Sequence, residues 1–566
     1  EISACLVGSE MCIRDRLDTL DEGDEFEMKK RNLMAFVGIL LAGGILAGCS
    51  NSNNSKSSSD PQAMKAAVSD QMATLNTAKY SDMISLEAMD NAFEGLYRFD
   101  SKGKPVLAGA QSVSHNDAQD VYTFKLRKDA KWSNGDPVTA KDYVYAWQNL
   151  IAPATASPNS QRLDPIKNAQ AIRKGEMQPD QLGVKALDDY TLQVELEAPI
   201  SYLDELLTGA PFFPKNEKVV TKYGDKYGTT SDQAVYNGPF VVSGWKGTND
   251  TWSYVKNNNY WDKKNVKLKR ADIQVVKDTS TAGKLFQTNK LDYTILGNEF
   301  AKQYANNPGY HSKKIPLIGY LGFNTKRDVT GNVHARKAIA QGFDKKLLVK
   351  NVLNAGTPLN GIVPADFAYN SETGKEYRKQ AGDLLPYDKK VAQSEWEQAK
   401  KELGQDELML EVLTSDTNEA KQVGNYLQSQ LEQNLPGLKV NLRAIPLKSR
   451  LAATTAYNYD VVYGTWQPDY ADPVNFISDG GQYHLNTDYQ NQEFWNDLDQ
   501  AAGEYASQPA KRWELLIDAE KHLIKDDTYT APVYQGAMTY LLNSRVKGLN
   551  ISPYGTVLLY RDVELK

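Results

Sequence analysis

The stretch Trp132-Ser133-Asn134-Gly135-Asp136-Pro137-Val138-Thr139-Ala140-Lys141-Asp142 carries the local logic of the whole chain. Asn134-Gly135-Asp136-Pro137 is a cluster of turn formers. Thr139, with an acidic residue three positions on, has the pattern of a capping box and opens a helix, on which Tyr143 and Trp147 fall on one face. Just upstream, Val121-Tyr122-Thr123-Phe124-Lys125-Leu126 alternates with the period of a strand. Strand, turn and helix in succession make this stretch scaffold and not a site. Farther along, alternation returns in Thr191–Leu196 and Lys439–Leu442, and helices are expected over Ala140–Leu150, Val391–Leu403, Ala420–Asn434 and Trp513–Lys525. From Pro61 onward Gly and Pro cut the chain into short mixed elements, with no internal repeat and no further membrane-spanning candidate. An α/β or α+β fold follows.

The chain has 566 residues, too many for one core at roughly 100–200 residues per domain, so two or three domains are expected. Hydrophobic residues make up 41% and charged residues 24%, an ordinary globular balance. With 65 basic against 71 acidic residues there is no positive field to gather phosphates, which excludes nucleic acid as an expected partner. Tyrosine is abundant, at 32 residues beside 9 Trp and 15 Phe. Such rings give a binding surface rigid contact area with a polar tip, and they serve ordinary cores equally well.

The three cysteines are Cys5, Cys12 and Cys49, so the body of the chain has no thiol nucleophile, no thiolate metal site and no disulfide. Met28 is followed by Lys29-Lys30-Arg31, an apolar run from Leu33 to Ala47, and Leu46-Ala47-Gly48-Cys49. A basic segment, a short apolar run and small residues before the cut have the layout of a secretory signal over 28–48. Its ending resembles a bacterial lipobox, which makes Cys49 the lipidated residue of the mature chain and anchors it to the membrane. The Ser/Asn-rich stretch that follows, within 49–62, is a flexible tether. Residues 1–27 have neither signal character nor apolar period and are read as non-native leader.

Catalytic patterns are missing. His115, His311, His334, His484 and His522 lie far apart, with no pair at the spacing that presents two imidazoles to one zinc. There is no Gly-x-Ser-x-Gly elbow, no Walker loop and no Gly-x-Gly-x-x-Gly turn. Carboxylate pairs such as Asp469 and Asp472 are expected by chance in a chain so rich in acids. No catalytic residue, metal ligand or cofactor is assigned, and the chain is not read as an enzyme.

Several segments together carry a resemblance. They are Phe93-Glu94-Gly95-Leu96-Tyr97, the stretch from Tyr122 to Arg127 leading into Trp132–Asp142, Val235-Tyr236-Asn237-Gly238-Pro239-Phe240, and Lys256-Asn257-Asn258-Asn259-Tyr260-Trp261-Asp262. Beyond them stand Tyr320-Leu321-Gly322-Phe323-Asn324-Thr325, Val333-His334-Ala335-Arg336-Lys337-Ala338-Ile339, Trp466-Gln467-Pro468-Asp469-Tyr470-Ala471-Asp472-Pro473 and Ala531-Pro532-Val533-Tyr534. In this order they resemble the peptide-binding lipoproteins of ABC importers, the oligopeptide-binding (OppA-like) branch of extracellular solute-binding protein family 5.

The resemblance implies a two-lobed α/β protein of three domains, a type II periplasmic-binding-protein-like fold with a hinge between lobes. Lobe I would comprise 63–107, 231–316 and 536–566 with an inserted domain over 108–230, and lobe II would run over 317–535. An oligopeptide would lie between the closing lobes and pass to membrane permease subunits, from a monomer lipid-anchored on the outer face of the cytoplasmic membrane, in the style of a Gram-positive bacterium. Asp469 would pair with the peptide's α-ammonium through a charge-assisted hydrogen bond in a water-poor cleft. Asp460–Gln467 would add the extended peptide as a strand, with Thr465 and Gln467 as backbone partners and side-chain identity largely ignored. Trp466, Tyr470 and Tyr320 would line the cleft, and Glu94 would face it from the other lobe. Where some relatives hold the peptide carboxylate with cations, this chain has Thr454 and Tyr463, and Arg443, Lys448 and Arg450 lie nearby. Where some Gram-negative relatives have a disulfide, near Leu317 and Gln467, there is no cysteine here. Other uses of such a scaffold are a receptor for a pheromone peptide, haem, a nickel complex or a sugar, and a surface hydrolase or adhesin. The scattered histidines speak against haem and nickel.

Overall fold

Period-two alternation becomes one large sheet in the computed structural model, which describes residues 63–370, 372–468, 470–479, 484–552 and 557–566. The signal segment, Cys49 and the tether lie outside the described residues. The sheet has eleven strands. In chain order these are β1 (Ala63–Val68), β2 (Phe240–Ser243), β3 (Thr251–Lys256), β4 (Arg270–Val275), β5 (Tyr293–Leu296), β6 (Tyr310–Phe323), β7 (Thr357–Pro358), β8 (Leu408–Ser415), β9 (Leu438–Ile445), β10 (Val461–Trp466) and β11 (Thr530–Leu542). Their spatial order is β9-β8-β10-β6-β11-β5-β1-β4-β3-β2, with β7 paired to β11 off this path. β1 is parallel to β4 and β5, and β8 is parallel to β9 and β10.

Two long antiparallel strands, β6 and β11, join the halves of this sheet. Their register runs from Tyr310↔Leu541 to Lys314↔Ala537, breaks, and resumes from Ile318↔Gln535 to Gly322↔Thr530, with a second shift after Gly319. Pro316, which has no N–H to give a ladder, lies in the break. Gly319 is demanded by packing, since a Cβ there would stand 2.2 Å from the Tyr534 ring. The hydrophobic core changes at the same place. One core gathers residues from Met64 to Ile315 and from Met538 to Val563, and the other gathers residues from Ile318 to Tyr534. The molecule is therefore a two-lobed mixed α/β protein whose lobes share two crossing strands.

The Trp132–Asp142 stretch is scaffold, as its residues imply. Gly135 has φ +94°, and its N–H donates to the Trp132 carbonyl at 2.8 Å, closing the turn. The Ser133 N–H donates to the Tyr236 carbonyl at 2.7 Å, tying the turn to the Val235–Phe240 segment. The Asp142 carboxylate accepts the Thr139 N–H at 2.7 Å, and the helix runs over Ala140–Ile151 with Tyr143 and Trp147 buried. Trp147 donates its indole N–H to the Phe212 carbonyl at 3.0 Å. This helix packs by a four-stranded antiparallel sheet of Ala110–His115, Val121–Leu126, Thr191–Glu195 and Val184–Asp188. The other expected helices form over Lys389–Leu403, Asn418–Asn434 and Pro509–Lys521. The last begins four residues before Trp513, because Pro509 at its first turn has a preset φ and lacks only an N–H that would be unpaired anyway.

Candidate functional site

β10 is where one strand presents an edge. One side pairs with β6 throughout, Val461↔Phe323 to Trp466↔Ile318. The other side pairs with β8 only at Val461 and Val462. Past that point the Tyr463 carbonyl accepts the Thr414 hydroxyl at 3.5 Å and Arg450 Nη1 at 3.3 Å. Among the described residues no strand pairs with Gly464, Thr465 or Trp466 on this side. Thr465 is exposed, and Trp466 and Gln467 are half-buried. An extended chain laid here meets backbone N–H and C=O groups whose spacing is set by β6.

The groups around this edge come from separate elements. A Cβ on Gly464 would lie 2.7 Å from the Tyr320 hydroxyl and 3.0 Å from Arg450 Nη1, so both side chains reach the backbone of β10 at Gly464. Arg450 projects from the helix Leu447–Thr455, is 7% exposed, and has an Nε without a hydrogen-bond partner. Among the described residues no carboxylate pairs with it. Its neighbour Arg443 pairs with Glu411 at 3.1 Å, and Lys448 is exposed. Behind the strand, the Tyr463 and Tyr534 hydroxyls lie 3.2 Å apart, and Tyr534 donates to Glu419 at 3.4 Å.

After β10 the chain is held by its own lobe. Trp466 donates its indole N–H to the Asn475 side chain at 3.1 Å. Asp472 accepts both guanidinium arms of buried Arg512, at 2.8 and 2.9 Å, and also the Val474 N–H at 2.9 Å. Asp469 lies outside the described residues. Tyr470 stacks on Tyr202 of the opposite lobe, with centroids 4.3 Å apart and planes at 11°, and Ser201 donates to Asp472 at 3.3 Å. Glu205 nearby is pushed up to about 7 by burial, with Asp204 and Asp472 adding repulsion.

Glu94 sits elsewhere, in the wall of the first lobe. It is 4% exposed, accepts the Tyr260 hydroxyl and the Trp261 indole N–H (2.5 Å), and pairs with Arg98 at 3.6 Å. Burial raises its pKa, while Trp261, Tyr260 and the Arg98 charge pull it back. Both oxygens are thus engaged by their own lobe, and Arg127 stacks on Trp261 at 3.7 Å. Asn237 clamps the same loop, accepting the Glu94 N–H at 3.1 Å and donating to its carbonyl at 2.8 Å.

The structure thus brings Tyr320, Thr465 and Trp466 together, with Gln467 next along the chain. It adds Tyr202 and Ser201, which sequence reading missed. Ala198-Pro199-Ile200-Ser201-Tyr202 follows a strand with no local pattern that marks a site. Among the described residues no group of three or more His, Cys, Asp or Glu side chains is arranged to hold a metal ion.

Known proteins resemble this chain over most of its length. Residues 104–482 match the model of the bacterial extracellular solute-binding proteins, family 5. The chain is 33% identical to the dipeptide-binding protein of Lactococcus lactis subsp. cremoris, over 93% of this chain and 98% of that protein. It is 31% identical to the oligopeptide-binding protein OppA of Bacillus subtilis, over 94% of this chain and 98% of the relative. The solved structure of Listeria monocytogenes OppA bound to peptide superposes with a TM-score of 0.70 at 39% identity, covering 89% of this chain and 99% of that one.

Proposed function

The chain belongs to family 5 of the bacterial extracellular solute-binding proteins, and from that membership we propose that it captures oligopeptides between its two lobes and delivers them to the permease of an ABC importer. The likeness to a peptide-bound OppA at 39% identity over nearly the whole body carries this reading. The family is one of extracellular solute-binding proteins, which supports a binding role and not a catalytic one. Lipid on Cys49, with the Ser/Asn-rich tether behind it, keeps the receptor at the outer face of the membrane as a monomer. This arrangement suits a Gram-positive cell.

The domain division that suits this role puts 317–535 in one lobe and 63–107, 231–316 and 536–566 in the other, with 108–230 inserted. The change of core between Ile315 and Ile318, and again between Tyr534 and Met538, supports it. The hinge is then the register break in β6 and β11. The peptide adds as a strand to the free edge of β10, pairing with Thr465 and then Gln467, beside Trp466 and Tyr470 and beneath the Tyr320 hydroxyl. Asp469 takes its α-ammonium. Its carboxylate goes to Arg450, the nearby cation that no acid among the described residues pairs with. Glu94 serves the facing wall by fixing Trp261.

Thermal melting against a pool of short peptides, and against the same pool N-acetylated, tests this. A ligand that binds only the folded state raises the melting temperature by mass action. The free-amine pool should stabilise, the acetylated pool should not, and the peptide masses should be unchanged afterwards. No shift with either pool would remove peptides as the ligand class, and cleaved masses would reveal an enzyme.

A further inference from the structure

Beyond the crossing strands, the lobes also meet through a pair of rings. Tyr202 and Tyr470 lie face to face at 4.3 Å and 11°, one ring from each lobe. Beside them Ser201 donates to Asp472 at 3.3 Å. On the side of the second lobe this contact is anchored by polar pairs. Asp472 is 4% exposed and gripped by both arms of Arg512, and Trp466 ties the end of β10 to Asn475. On the other side, Tyr202 stands immediately before the short helix Leu203–Leu206, whose Leu203 and Leu206 are buried in the first core. Each ring is thus mounted on its own lobe, and the pair exists only while the lobes are together.

We infer that the Tyr202–Tyr470 stack, supported by Ser201–Asp472, is a closure latch that sets how long a captured peptide stays. Tyr202 is a positioning residue: it acts on the ligand through Tyr470 and the chain that leaves β10. An aromatic pair of this kind corresponds to roughly two- to twelvefold in an equilibrium. Because the pair is absent from the open form, that factor falls on opening, and so on the dissociation rate. The peptide approaches the open protein before the rings meet, so association is left nearly unchanged.

The inference rests on peptide capture, and its test separates the two. The probe is Ala-Ala-Ala-Lys bearing a dansyl group on the lysine side chain, followed by stopped flow in the unaltered protein, Tyr202→Ala, Tyr202→Phe, Tyr470→Ala and the double alanine variant. Tyr202→Ala should dissociate about three- to tenfold faster, with association within about twofold and the circular dichroism of the ligand-free protein unchanged. Tyr202→Phe, which keeps the stack, should restore slow release. The double variant should be no faster than Tyr470→Ala alone, since each single change already breaks the pair. Equal dissociation from the unaltered protein and Tyr202→Ala overturns the latch and leaves peptide capture standing, as do additive effects of the two alanine changes. No binding of the probe by the unaltered protein sinks the capture reading and the latch with it.

Discussion

Arg450 is a buried cation whose Nη1 donates to the Tyr463 carbonyl at 3.3 Å, whose Nε has no hydrogen-bond partner, and which no carboxylate among the described residues pairs with. A buried guanidinium left so thinly satisfied is costly unless an anion joins it. A ligand carboxylate gives charge-assisted hydrogen bonds of roughly 1.5–3 kcal/mol, about ten- to a hundredfold in affinity. Calorimetry with tetra-alanine as free acid and as C-terminal amide should show that preference for the acid, and Arg450→Gln should erase it. Equal affinity for the two peptides would leave the arginine a merely structural group. Asp469, the proposed partner of the peptide's α-ammonium, is tested in the same way. Asp469→Asn should weaken free-amine peptides at least several-fold and leave the circular dichroism unchanged, and an unaltered dissociation constant would remove it from the site. Both residues were visible in the sequence, Asp469 through Trp466-Gln467-Pro468-Asp469-Tyr470 and Arg450 only as one of three cations. What singled out Arg450 was three-dimensional: Arg443 pairs with Glu411 and Lys448 is exposed.

At the scale of elements, the crossing strand β6 is the exacting one. Gly319 must let the Tyr534 ring lie against its backbone, and a methyl 2.2 Å from that ring has to displace it. Overpacking of this kind costs typically about 1–3 kcal/mol. Gly319→Ala should therefore lower the melting temperature by scanning calorimetry and disturb the Tyr463–Tyr534 hydroxyl contact; an unmoved transition would mean that β6 slides to make room. Most elements were legible because their periodicity is local. The Val121–Leu126 strand and the helix after Thr139 stand where their alternation and cap put them. The edge of β10 was legible as a strand but not as an edge, because that depends on where β8 and β10 part, after Leu413, two residues before β8 itself ends at Ser415. Tyr202 was illegible for a stronger reason: its partner is on the other lobe, and no spacing along one chain encodes a contact made by closure.

At the scale of the molecule, the first lobe is closed by joining its two chain ends around a buried acid. Glu87, on the helix Met83–Ala92, accepts the Tyr560 hydroxyl at 3.3 Å and the Leu558 N–H at 3.4 Å. Asn91 on the same helix donates to the Leu558 carbonyl at 2.7 Å and accepts the Tyr560 N–H at 2.8 Å. Burial pushes Glu87 from 4.5 up to about 8, against the pull of those two hydrogen bonds. Asp90, one turn away, is raised in the same direction by burial and by the Glu87 charge, and one of its oxygens has no partner. In the folded protein Glu87 therefore holds its proton well past the pH at which the unfolded chain loses it. Across that window the unfolded state binds fewer protons, so stability falls as pH rises. The contribution is complete below about 4.5 and is lost as pH climbs to about 8. Each tenfold difference in proton affinity between the folded and unfolded chain is worth about 1.4 kcal/mol, so the loss is on the order of a few kcal/mol. Melting followed from pH 5 to pH 8 should show the transition moving down, and Glu87→Gln, which keeps an uncharged acceptor at the junction of the chain ends, should flatten that slope and melt higher at pH 8. A slope unaffected by the substitution would place the charge sensitivity elsewhere, at neighbouring Asp90, which burial raises to about 8, or at Glu205, whose carboxyl burial raises to about 7. The two sites are separable because Glu205 faces Asp472 only when the lobes meet, so its share should grow with bound peptide, while that of Glu87 and Asp90 should not.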